Sequence, residues 1–248
     1  EEGCAGTSMD GAIYYTLDGS DPRLPFSGAA DVPWSGEPAP SARVYAGPIK
    51  PGRYTRIRAR MRSADGRWGA EAQATYGVPR LALTEIMYHP SDDERLEVVE
   101  LVSLERIDVD LSGAVVHGGI TATLPAGTRL RPGGRIVLAA DPAAFATRYR
   151  NVVPLAPYDG RLANGGERVR ISDRFGNTML DVAYDDEGYW PLAPDGLGFS
   201  LVLDDPAADP RDPEAWRASA AVGGSPGAAD PPPPYVDDVV LSEVLANS

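Results

Sequence analysis

The stretch Leu81-Ala82-Leu83-Thr84-Glu85-Ile86-Met87-Tyr88-His89-Pro90 decides how the chain is read. It is a short apolar run that ends at a proline, and such runs recur along the chain with mostly period-two alternation, which reads as strand rather than helix. A carboxylate, Glu85, stands in the middle of the run, where an ionised group needs a partner. The same order of residue types returns at Val239-Val240-Leu241-Ser242-Glu243-Val244-Leu245, so the sequence contains an internal repeat.

Working outward, the alternation predicts a dozen strands, at 12–17, 42–46, 54–61, 72–76, 81–88, 96–102, 114–117, 120–124, 135–140, 168–172, 178–184 and 199–203. Turn chemistry separates them, as at Asp18-Gly19-Ser20-Asp21-Pro22, Pro132-Gly133-Gly134 and Asn164-Gly165-Gly166. The 248 residues include 27 Gly and 24 Pro, about a fifth of the chain against roughly 12% in an average protein. Long uninterrupted helices are excluded by that density. Two short helices are predicted, one over 141–149, opened by Asp141-Pro142, and one over 212–217, opened by Asp212-Pro213.

The pattern breaks at Gly77-Val78-Pro79, which places a domain boundary there. The predicted organisation is residues 1–78 as one β-sandwich and 79–230 as a second. A proline-rich spacer follows at 231–238, and 239–248 is read as the first strand of a further, truncated module. That strand, Val239 to Leu245, is expected either to lack order or to exchange onto a sheet edge of another molecule.

One cysteine, Cys4, and two histidines exclude a disulfide framework and a structural zinc site. No apolar run approaches the roughly 18 residues of a membrane span, so membrane insertion is not expected. The net charge is -13, with residues 1–78 balanced at nine basic against nine acidic and 79–230 carrying 14 against 24. A field of that sign repels phosphate backbones and argues against nucleic acid as a partner. Within the neutral segment, Arg56, Arg58, Arg60 and Arg62 alternate with Ile57, Ala59 and Met61, which sets four guanidinium groups on one face of a strand. The readings open to this ridge are a solvated face, packing beside the acidic second segment, and recognition of a polyanionic glycan.

Two stretches resemble known families. Ile13-Tyr14-Tyr15-Thr16-Leu17-Asp18-Gly19-Ser20-Asp21-Pro22, with Tyr45-Ala46-Gly47-Pro48-Ile49 and Asp65-Gly66-Arg67-Trp68, resembles the chitobiase/hexosaminidase C-terminal type of immunoglobulin-like module over about residues 10–78, without the strand that usually precedes the tyrosine motif. Leu81 to about Ala229 resembles the bacterial lamin-tail domain. The residues that carry this second resemblance include Thr84-Glu85-Ile86-Met87-Tyr88-His89-Pro90, Glu97-Val98-Val99-Glu100-Leu101, Asp110-Leu111-Ser112-Gly113, Trp190-Pro191 and Gly224-Ser225-Pro226-Gly227. It departs at Val115-Val116-His117, where that family usually has a tryptophan. The two resemblances imply an all-β fold of two immunoglobulin-like β-sandwich domains in tandem with short connecting helices, in a secreted or cell-surface multidomain bacterial protein, with no catalytic residues to carry over.

Side chains that bear chemistry are few. His89 and His117 lie in no nucleophile elbow or metalloprotease motif. Glu85 and Glu100 sit within apolar strands and are read as buried structural acids, with a cation site or a carboxylate pair for catalysis as the sharper readings. Asp185-Asp186-Glu187 offers oxygens for calcium, the one cofactor considered, without the spacing of a known loop. Trp34, Trp68, Tyr189 and Trp190 are the candidate sugar platforms, and Arg56, Arg58, Arg60 and Arg62 the candidate anion contacts. The expected function is non-catalytic: a spacer or adhesion unit whose partners are other modules of the parent protein and cell-surface or extracellular polysaccharide. The alternative is a carbohydrate-binding accessory domain of a polysaccharide-active enzyme.

Overall fold

The computed structural model describes residues 10–24 and 36–232; Trp34 and the 239–245 repeat lie outside them. The fold is mostly β, with several sheets and one α-helix among the described residues. The chain divides into two compact units, the first ending at Val78 and the second starting at Pro79.

The first unit is an antiparallel sheet of β1 (Gly11–Thr16), β2 (Arg43–Val44), β3 (Thr55–Ser63) and β4 (Trp68–Tyr76), ordered β2-β1-β3-β4. Its register sets Tyr14 opposite Arg60 and Arg60 opposite Glu71, so the arginines of β3 share one face with an acid of β4, while Ile57 and Ala59 point to the other face with Ile13 and Tyr15.

The second unit starts with β5 (Leu81–Met87) and β6 (Val98–Ser103). It continues through β7 (Val109–Asp110), β8 (Val115–His117), β9 (Ile120–Thr123), β10 (Arg129–Leu130) and β11 (Arg135–Ala139). Helix α1 (Pro142–Arg148) precedes β12 (Ala156–Pro157), β13 (Asp159–Gly160), β14 (Glu167–Ser172), β15 (Thr178–Tyr184), β16 (Leu201–Leu203) and β17 (Trp216–Ala218). They form a six-stranded sheet, β12-β11-β6-β5-β16-β17, a five-stranded sheet, β13-β9-β8-β14-β15, and the small pair β10-β7. Tyr88, just after β5, stacks on Tyr184 at the end of β15 with ring centroids 5.0 Å apart, which ties the two larger sheets together.

Every residue of β5 and β6 is buried. Both faces of the six-stranded sheet are therefore covered at its centre. One face carries Leu83, Ile86, Val99, Leu101, Leu138 and Leu201, none more than 1% exposed. The other carries Met87, Val98, Val137 and Ala139, which pack with Phe145 of α1 and with Tyr149 and Val152. This second face also holds Glu85 and Glu100, because Glu85 pairs with Glu100 and Glu100 with Val137 in register.

Helix α1 forms as its opening predicts: Asp141 Oδ1 accepts from the amides of Ala143 (2.8 Å) and Ala144 (3.0 Å), and Pro142 occupies the first turn. Asp141→Ala is expected to lower stability by about 1 kcal/mol, read as a shifted denaturation midpoint with unchanged slope. The helix expected over 212–217 is corrected. Asp212 caps only a three-residue 3-10 turn, Pro213–Ala215, after which Trp216 and Arg217 belong to strand β17. The indole of Trp216 is 4% exposed and its Nε1 donates to Pro210 O at 3.0 Å. Burying so large a ring against the sheet edge outweighs the weak helical preference of one turn.

Candidate functional site

Glu85 and Glu100 lie directly across from each other on β5 and β6, next to a register shift between Leu83 and Glu85 that gives Thr84 no partner of its own. Their relative exposures are 2% and 0%. Each carboxylate is held by groups distant in sequence. Glu85 Oε1 accepts from Ser200 Oγ at 2.7 Å and from the Ser225 amide at 2.8 Å. Glu100 Oε1 accepts from Thr84 Oγ1 at 2.7 Å and from the Arg135 guanidinium, while Oε2 accepts from the Gly227 amide at 2.6 Å.

The amides of Ser225 and Gly227 belong to a strap, residues 219–230, that crosses this face without strand structure. A third acid pins its end. Asp230 accepts from the Ala220 amide at 2.9 Å, from Ser225 Oγ at 2.9 Å and from Arg217 Nη1 at 2.5 Å. Gly224 makes the close approach possible: its φ is +70°, and an added Cβ would fall onto Glu85 Oε1 and Ser200 Oγ. Between strap and sheet remains a cavity of about 60 Å³, lined in part by Thr84, Glu85, Glu100, Arg135, Arg217 and Asp230.

Burial pushes the Glu85 carboxyl up to about 7, with the charges of Glu100 and Asp230 acting in the same direction and the bonds from Ser200 and Ser225 opposing them. A raised acid beside a second carboxylate is the kind of pair that acid–base catalysis uses. Here both residues are nevertheless committed to protein donors, and the remaining cavity is far below the roughly 300 Å³ at which ligand pockets begin. What the arrangement does chemically is clamp the strap to the sheet.

The other candidate residues are dispersed. Arg58 and Arg60 both donate to Glu71; Arg60 is also bound to Asp21, at 3.0 and 3.1 Å, and Arg62 to Glu37 at 2.9 Å, while Arg56 reaches Gln73 at 2.5 Å. The ridge is thus an ion-pair ladder within the first unit. Burial raises the Asp21 carboxyl, and the bonds from Arg60 and the Arg23 amide reverse this to a net lowering. Trp68 is a core residue: it is 6% exposed, its Nε1 donates to Gly36 O at 2.8 Å, and its ring meets Tyr14 edge-on at 5.4 Å. Trp190 leans on Trp216 with centroids 6.0 Å apart, and Tyr189 is 86% exposed. Asp185 turns the chain by accepting from the amides of Asp186 (2.9 Å) and Glu187 (3.0 Å). Among the described residues no three His, Cys, Asp or Glu side chains are grouped to hold a metal ion. His89 contacts Asp195 at 2.6 Å and His117 contacts Ser172 Oγ at 2.8 Å.

Two buried acids escape the sequence reading. Asp230, three residues beyond the Ser225-Pro226-Gly227 turn, looks like the start of a linker because prolines follow it. Glu97, 3% exposed, accepts from Tyr158 OH at 3.3 Å and the Leu162 amide at 2.9 Å, and burial raises its carboxyl. Its position at the entrance of an apolar strand was the available signal. Among the described residues no helix is long and apolar enough to cross a membrane.

No protein-family model matches this chain, and no curated protein does. Among solved structures it is similar to a DUF4876 family protein from Bacteroides thetaiotaomicron VPI-5482, 9% identical, with a TM-score of 0.37 over 85% of this chain and 87% of that one. A likeness of that size assigns neither family nor function.

Proposed function

We propose that the chain is a non-catalytic structural and interaction module of a secreted multidomain bacterial protein, a spacer or adhesion unit made of two immunoglobulin-like sandwiches in tandem. The first is taken as the chitobiase/hexosaminidase C-terminal type and the second as the bacterial lamin-tail type, on the residues quoted for each. One observation carries the reading: the carboxylates best suited to chemistry, Glu85 and Glu100, are bound by Ser200, Ser225, Gly227 and Arg135. They fasten the strap just upstream of the prolines at 231–234, so the following chain leaves from a fixed point, as a spacer requires. The reading is tested by incubating the chain with a panel of polysaccharides and chromogenic glycosides and esters. No turnover is expected, and any turnover abolished by Glu85→Gln or Glu100→Gln overturns it.

A second reading, a carbohydrate-binding accessory domain, is favoured by the open ring of Tyr189 beside Trp190. Glycan-array binding lost on Trp190→Ala or Tyr189→Ala supports this alternative. An array without signal, from a chain that melts cooperatively, leaves the spacer reading.

A further inference from the structure

The segment 185–198, between β15 and β16, is a fixed loop with an unusual surface. The Trp190 amide donates to Glu187 O at 3.3 Å and the Asp195 amide to Leu192 O at 3.2 Å, while Asp195 is tied to His89 and Trp190 is braced on the buried Trp216. On this frame Tyr189, Leu192 and Leu197 are 86%, 75% and 63% exposed. Val222, 51% exposed, lies beside Gly198, where an added Cβ would come within 3.1 Å of it. Large apolar side chains held in water on a preformed loop mark an interaction surface.

Charge identifies the partner. From Phe175 to Pro210 the sequence contains no Lys or Arg, and Asp185, Asp186, Glu187 and Asp195 all belong to the loop. A second copy of this chain, itself at -13, is repelled, and so is an anionic lipid surface. Leu192 and Leu197 have no group that hydrogen-bonds a hydroxyl, which disfavours a glycan across the whole surface. We propose that this loop docks a basic polypeptide segment, in which Lys or Arg side chains meet the acidic rim and apolar side chains cover Leu192, Leu197 and Tyr189. The inference rests on the interaction-module reading and gives it a partner chemistry.

The test is selection of a random dodecapeptide library against the whole chain, followed by fluorescence anisotropy with the enriched peptides. Enrichment of Lys/Arg together with Trp, Phe or Leu is expected, with affinity falling as salt rises. The Leu192→Ser/Leu197→Ser double variant, which changes no charge and replaces exposed side chains, is expected to weaken binding at least about tenfold at an unchanged melting temperature. No enrichment, enrichment of acidic or uncharged polar peptides, or affinity unaffected by the double variant overturns the proposal. Glycan binding that needs Tyr189 but not Leu192 and Leu197 assigns the surface to sugars and also overturns it. Hydrolytic turnover by the chain bears on the module reading alone, so the two failures are distinguishable.

Discussion

Glu100→Ala is expected to destabilise the second unit by about 3–5 kcal/mol, the range for removing one partner of a buried ion pair. The substitution strips Arg135 of its carboxylate, leaves the Gly227 amide without its acceptor and the Thr84 hydroxyl with only a long bond to the backbone carbonyl of residue 100 (3.4 Å), and opens a void at a position with 0% exposure. Glu100→Gln keeps the shape but offers Arg135 no charge, so a smaller loss is expected. Because Arg135 and Glu100 act as a unit, a double-mutant cycle with Arg135→Met should return a coupling energy above about 1 kcal/mol. Urea unfolding of the whole chain, followed by fluorescence of the tryptophans, supplies all of these values. An unchanged midpoint in Glu100→Ala would falsify the clamp.

The second large effect is a dependence on pH. Glu85 has its carboxyl raised from 4.5 to about 7 in the folded chain. A group that holds its proton more tightly when folded contributes stability that is complete below the unfolded value and is lost as pH rises through the folded one. The loss between pH 4.5 and 7 is about 3 kcal/mol, since each pH unit in that window removes about 1.4 kcal/mol. Glu97 and Glu167 are displaced in the same direction by burial, whereas Asp21 and Asp110 end up below the ordinary carboxylate value. The informative quantity is thus a difference. Glu85→Gln does not titrate, so its stability relative to the parent should improve by about 3 kcal/mol between pH 5 and pH 8. Parallel pH profiles for the two chains would remove Glu85 as the titrating group.

Local pattern carried most of the fold. Each of the twelve expected strands has a counterpart, because the sequence pattern there runs over four or more residues even where the paired strand itself is shorter, as at β2, β8 and β16. The strands that went unread, β7, β10, β12, β13 and β17, are two or three residues long and are fixed by their pairing partners. At β17 the Asp212-Pro213 opening imitates a helix start, and the tertiary demand of Trp216 decides otherwise. The acids were legible as oddities, since Glu85 and Glu100 interrupt apolar strands. Their partners were not: Ser200, Ser225 and Gly227 stand 115, 140 and 127 residues away from the carboxylates they bind, and no local periodicity encodes such a pairing. The arginine ridge was visible as an alternation, but its neutralisation needed Glu71 in register on β4 and Asp21 in a turn.

The strap also sets when this unit can fold during synthesis. Strands β5 and β6 are made first, yet Glu85 and Glu100 lack one donor each, the Ser225 and Gly227 amides, until residues 225–227 arrive more than a hundred positions later. A chain still on the ribosome therefore holds a sheet whose two buried carboxylates are incompletely bonded and whose outer face lacks the strap, a state that opens readily and exposes apolar surface. Only when residues 219–230 emerge does the sheet gain its last cover, so nascent chains stalled before Ser219 should remain sensitive to protease. Those extended past Asp230 should resist it.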